Sequence, residues 1–196
     1  MLYNNIKDFV PVHTTLTETE TGLRVVKADK LMHFDENTLV KLKNCDFHNG
    51  VIKVKMLSRL LPDAPDFARG FIGIVFRVND NNSEFESFYI RPTNAMTDDP
   101  VRRMHGCQYF SYPGYTFAYF REFGITGYEA PMNHGLNEWV ELKAEIQGDQ
   151  AAFYLNDELV LTVDGMKHGK DAHGSVGFFS EIGTEAFFKD LEIEEW

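Results

Sequence analysis

The side chains in this sequence best suited to chemistry are two arginines set among phenols and amides. Arg77, Tyr89, Arg91 and Asn94 are followed by Gln108, Tyr109, Tyr112 and Tyr115. Together they offer flat aromatic faces for sugar C–H groups and planar donors and acceptors for hydroxyls, the combination a saccharide site requires. Tyr89 and Arg91 stand two residues apart, so a strand places both on one face, and Arg77 on the neighbouring strand is expected to share it. The competing reading pairs the arginines with Glu84, Glu86 or Asp98 and lays the tyrosines over the sheet as cover.

Glu84 and Glu86 are also two apart. A strand would present both on one side at roughly 6 to 7 Å between Cα atoms, near the carboxyl separation of about 5 to 5.5 Å in retaining glycosidases. Glu86 is therefore a candidate acid or nucleophile, although neighbouring acids on a strand are commonly just solvated. His105, in Arg102-Arg-Met-His-Gly106, is a candidate general base because an imidazole titrates near neutrality. The histidines 13, 33, 48, 105, 134, 168 and 173 are scattered, without zinc-site spacing. Asn79-Asp-Asn-Asn82 has oxygen ligands but not the calcium-loop pattern, and reads as a turn. Neither a nucleophile elbow nor a phosphate-binding glycine loop is present.

Such side chains need a rigid frame, and the sequence describes one made of strands. Val140–Gln147 alternates strictly, with Val140, Leu142, Ala144 and Ile146 on one face and Glu141, Lys143, Glu145 and Gln147 on the other. Turns at Gly148-Asp149 and Asn156-Asp157 join it to runs at 151–155 and 159–163, giving an antiparallel meander. Residues 51–56 alternate in the same way, and 71–78 is apolar on both faces, as in a central strand. The turn at Asn79–Asn82 returns the chain into 84–91, forming a hairpin. Strands at 175–180 and 184–193 close the chain, the last with imperfect alternation that predicts a bulge. Residues 92–131 break the pattern and read as a long, aromatic-rich functional loop region. With no helical periodicity, repeat or linker, the 196 residues are expected to form one all-β domain with minor helix.

A formal net charge of −11 disfavours nucleic acid and anionic membrane surfaces as partners, and points to a neutral saccharide. The sequence shows no signal peptide and no long apolar span, so a cytoplasmic location is expected, or a secreted one if a leader has been trimmed. Cys45 and Cys107 are expected as two reduced thiols, their pairing left open.

The run Gly73–Arg77, Phe85–Asn94, Gln108-Tyr109, Pro113-Gly-Tyr115 and Asn137-Glu-Trp139 resembles the concanavalin A-like lectin/glucanase superfamily. Within it, the resemblance is to domains of the 3-keto-disaccharide hydrolase-like, or family 16 glycoside hydrolase-like, type. The ending Val176-Gly-Phe-Phe and Ala186–Ile193 is similar to that family's closing strands. The resemblance implies a two-sheet antiparallel jelly-roll sandwich with one concave face and a carbohydrate-related role. It also suggests Asp190 as a ligand of a structural calcium; no other cofactor is expected. The Glu-x-Asp-x-(x)-Glu pattern of true family 16 glucanases is absent. Three readings stay open: a carbohydrate-binding or glycan-processing domain, a glycoside hydrolase or lyase acting on small saccharides, and a self-association or protein-interaction sandwich. Oligomeric state is not legible in the sequence.

Overall fold

The computed structural model describes residues 1–28 and 36–196. In chain order its strands are β1 (Leu2–Tyr3), β2 (Phe9–Val12), β3 (Thr14–Glu18), β4 (Leu23–Lys27), β5 (Leu39–Leu42), β6 (Gly50–Leu60) and β7 (Ile72–Val78). They continue with β8 (Phe85–Ile90), β9 (Cys107–Tyr112), β10 (Glu129–Ala130), β11 (Trp139–Gln147) and β12 (Gln150–Leu155). The last are β13 (Glu158–Asp164), β14 (Ser175–Ser180) and β15 (Thr184–Glu195). Among the described residues helix is confined to short segments: a 3₁₀ turn at Ile6–Asp8, α1 (Pro92–Ala95), α2 (Pro100–Arg103) and α3 (Phe117–Glu122). Among the described residues, no helix is long and apolar enough to cross a membrane.

These strands form two antiparallel sheets. One runs β13-β12-β11-β6-β15-β4-β3, with β1 also on β15; the other runs β10-β9-β8-β7-β14-β5-β2. The expected meander is β11-β12-β13, and its second turn is set by Asn156 and Asp157, both at positive φ (48° and 65°), which matches the right-handed twist of the flanking strands. The expected hairpin is β7-β8, in the middle of the second sheet. Burial along β11 follows the sequence alternation, with Val140, Leu142, Ala144 and Ile146 buried. They meet the second sheet's inner face, where Phe88 stacks on Phe153 at 4.3 Å and Phe178 on Phe188 at 4.3 Å. Burying one such ring is worth about 1.5–3 kcal/mol and the stacking geometry roughly 0.5–1.5 more, so area dominates and geometry fixes register.

The expected bulge in β15 lies between Lys189 and Glu192, with Asp190 at φ 55°. It lets both Phe188 and Leu191 point inward. Residues 92–131 are more regular than their composition suggests, because β9 and β10 both extend the second sheet. Cys107 on β9 is buried and unbonded, its pKa pushed up to about 12 by burial, and Cys45 is also a free thiol.

A second bulge, in β7, is absent from the sequence reading. Between the pairs Val75↔Gly177 and Val78↔Ser175, β7 spends one residue more than β14. The surplus is taken up at Arg77, at φ 54°. Arg77 is thereby turned away from the Tyr89 face into the end of the sandwich, where its side chain and that of Glu86 are both fully buried, 3.3 Å apart. The guanidinium also donates to the carbonyls of His48 (2.8 Å) and Gly148 (2.7 Å), tying two chain reversals together. Glu86 accepts from the Tyr109 hydroxyl (3.0 Å) and the His168 amide (3.2 Å). Burial lowers the Arg77 pKa, against which the Glu86 charge acts, and burial followed by the same carboxylate raises that of Tyr109.

Removing one member of such a pair strands the other charge without a counter-ion. Glu86→Gln is expected to lower stability by about 3–5 kcal/mol in urea denaturation; a midpoint within error of the parent's would contradict this account. At Gly177 an added Cβ would lie 1.8 Å from the Val40 carbonyl oxygen across β5. Gly177→Ala should therefore cost at least the roughly 1–3 kcal/mol of ordinary overpacking, seen as a fall in melting temperature.

Candidate functional site

Alternation along β8 and β9 sorts the expected site residues onto two faces. Glu86, Phe88 and Ile90 point between the sheets, together with Tyr109 and Ser111; Tyr89 and Arg91 point to the outer face of the second sheet, beside Gln108. That outer face carries its own apolar layer of Leu39, Phe71, Val75, Phe85, Phe110 and Phe179. Glycine at 73, directly opposite Tyr89 on β7, leaves the ring its place: a Cβ there would lie 2.8 Å from the Tyr89 Cβ.

Over this layer, at the Arg91 end of β8, lies a cleft of about 500 Å³. A volume in the range of roughly 300 to 1,000 Å³ is that of small-molecule sites. Its lining mixes the aromatic rings of Phe67, Phe71, Tyr89, Phe117 and Phe179 with Arg69, Arg91, Arg102, Arg121, Asn94 and His105. The Arg91 guanidinium lies over the Tyr89 ring at 4.9 Å and that of Arg121 over the Phe117 ring at 5.1 Å. Tyr89 meets Phe71 edge-on at 6.0 Å and Phe179 at 5.4 Å.

The polar lining residues are tied down by hydrogen bonds. Arg91, 5% exposed, donates to the Tyr89 hydroxyl (2.6 Å), the Gln108 Oε1, the His105 carbonyl (3.1 Å) and the Glu129 Oε1 (3.2 Å). Gln108 Oε1 also accepts from Tyr89 (2.9 Å), while its Nε2 is buried without a partner among the described residues. Asn94 donates to the His105 carbonyl (2.9 Å), and its Oδ1 accepts two bonds from Arg102, each 3.2 Å. Glu129 on β10 is the shared counter-ion. It binds Arg91 and Arg121 and is hydrogen-bonded to His105 Nδ1, which leaves Nε2 as the ring nitrogen available to a ligand. A second carboxylate at the cleft, Glu181, is paired with Lys27.

Of the residues singled out in the sequence, Tyr89, Arg91, Asn94 and His105 are brought together at this cleft, with Gln108 directly behind. Three expectations are corrected. Arg77 does not share the Tyr89 face, because the β7 bulge rotates it inward. Tyr109 is adjacent to Gln108 in sequence and so faces the opposite way, its hydroxyl consumed by Glu86 and Ser111. Glu86 is sealed between the sheets and Glu84 lies exposed in the preceding turn, so the two carboxylates share no site and Glu86 has no access to a substrate.

Tyr112 stacks on Phe85 at 5.0 Å, at the far end of β9, and Tyr115 packs edge-on against Tyr119 at 5.0 Å; neither lines the cleft. Asp190, expected from the resemblance as a calcium ligand, lies 3.0 Å from the Lys55 ammonium, whose hydrogen bond lowers its pKa. Among the described residues no group of three or more His, Cys, Asp or Glu is placed to hold a metal ion; His33 lies outside them.

Arg69, Arg121, Glu129 and the phenylalanines of the cleft are not among the site residues expected from the sequence. Phe71 and Phe179 carried a usable signal, since each flanks or ends a central strand on the same parity as Tyr89.

No family model matches the chain, and no curated protein matches it. Among solved structures, the carbohydrate-binding module CBM66 from Bacillus subtilis aligns with a TM-score of 0.65 at 16% identity, over 96% of this chain and 96% of that one. A Bacillus subtilis protein of unknown function with a galectin-like fold aligns at 0.58 and 12% identity, over 97% and 90% of the two chains. Apo Crh5 transglycosylase aligns at 0.58 and 10% identity, over 98% and 80%. The shared property is the fold: this chain is a two-sheet antiparallel β-sandwich of the concanavalin A-like and galectin-like kind.

Proposed function

We propose that this domain binds a saccharide in the cleft on the outer face of the second sheet, beside Tyr89 and Arg91. The observation that carries this reading is that aromatic rings and planar donors line one cleft of small-ligand size. Sugar rings present both an apolar C–H face and a hydroxyl edge, so a site for them needs both kinds of side chain at once. The donors are pre-organised: Arg91 is locked by Tyr89, Gln108 and Glu129, and little ordering entropy remains to be lost on binding. The sandwich shared with CBM66 supports the same reading at the level of fold.

A second reading, turnover of the bound glycan, is favoured by one observation, the hydrogen bond between His105 and Glu129 at the cleft wall. A carboxylate on Nδ1 orients the imidazole and fixes its tautomer, so His105 Nε2 is placed to accept a proton during hydrolysis or elimination at a glycosidic bond.

Thermal shift and calorimetry against a panel of oligosaccharides test binding. At least one saccharide should raise the melting temperature, and Phe117→Ala should weaken its affinity about tenfold while the fold is retained. A panel without any stabilising sugar would end the proposal. If reducing ends or unsaturated products are released, His105→Gln should slow release by about a hundredfold or more with binding retained; an unchanged rate would remove His105 from the chemistry.

A further inference from the structure

We infer that the cleft selects acidic saccharides, those carrying a carboxylate or a sulfate ester, over neutral ones; this deepens the saccharide reading and rests on it. The sequence charge points the other way, since −11 over the whole chain suggests neutral ligands. Charge inside the cleft is arranged differently. Four guanidiniums line it, from Arg69, Arg91, Arg102 and Arg121. They come from separate segments: the approach to β7, the end of β8, α2 and α3. Among the described residues only Glu181 answers them as a lining carboxylate, and it is paired with Lys27. Glu129, behind the wall, is shared by Arg91 and Arg121.

Arg69 and Arg102 make no ion pair among the described residues. Arg69 donates to the carbonyls of Asp66 (2.8 Å) and Ala68 (3.1 Å), and Arg102 to the side chains of Asn94 and Thr93. Neutral acceptors hold these guanidiniums in place without cancelling their charge. Burial lowers the Arg69 pKa, and the nearby Arg102 and Arg91 charges lower it further, so like charges are crowded together here.

An anionic group seated between them would relieve that repulsion and accept charge-assisted, bidentate hydrogen bonds, for which the guanidinium fork is matched. The acidic surface elsewhere does not cancel this, because at physiological salt charges more than about 8 Å away are largely screened. The aromatic side chains then hold the sugar ring while the arginines hold its acid.

The test compares matched ligands by calorimetry at low and high salt. Oligogalacturonate carries only carboxylates and a carrageenan oligosaccharide only sulfate esters; galactan and malto-oligosaccharides are the neutral arms. At least one acidic ligand should bind at least tenfold more tightly than the neutral arms, and which one binds identifies the acid. Its affinity should fall with added salt while any neutral binding does not. Arg69→Ala and Arg102→Ala should each weaken the acidic ligand at least about tenfold, and Arg102→Lys should recover part of the loss. Equal or tighter binding of the neutral arms, or acidic binding indifferent to both alanine variants, would overturn the inference and leave the saccharide reading standing. Absence of binding in every arm would overturn both.

Discussion

Side chains leave a strand in opposite directions at successive residues, and in β8 this constraint divides the molecule's polar chemistry into two compartments. Glu86 goes inward to the buried pair with Arg77, while Tyr89 and Arg91 go outward to the cleft. The inner compartment is structural. With both side chains at zero exposure, the pair is tolerable only because Tyr109, His168 and the carbonyls of His48 and Gly148 supply the remaining hydrogen bonds. In return it fastens the turns at one end of the sandwich. The loops over the outer face at the other end of β8 are left to shape a site.

The cleft reverses the sign of the molecule that contains it. An acidic chain repels anions at long range, whereas at the short range of the cleft the field is that of a local group of guanidiniums. The charge of the cleft and the net charge of the chain are thus set by different residues. Glu129 mediates between the two demands: by binding Arg91, Arg121 and His105 it keeps the arginines of the wall from repelling one another apart, at the cost of part of their charge.

Strand periodicity made most of the frame legible in the sequence. β11 alternates without exception, β14 was bounded at its observed ends, and the bulge in β15 was visible as a fault in the alternation. β9 is not legible, because polar and apolar side chains are mixed on both of its faces, Tyr109 and Ser111 with Cys107 on the inner one and Gln108 with Phe110 and Tyr112 on the outer one. The lining of the candidate cleft is legible where one strand carries it, at Tyr89 and Arg91, and with Asn94 and His105 nearby. The turn of Arg77 is not legible, because a single left-handed residue inside an unbroken apolar run has no signature in residue type. Arg69 and Arg121 were hidden for another reason: they meet only through the tertiary fold, from segments about fifty residues apart.

Trp139 lies against the Lys189 ammonium, 4.0 Å from its ring, on the outer face of the first sheet, and Trp196 is exposed at the chain end. These are the chain's two indoles, and neither borders the cleft. Native emission is therefore blind to an occupant and responds instead to loss of the sandwich. Val101, exposed on the rim, is the position where a transplanted indole would turn occupancy into an optical signal.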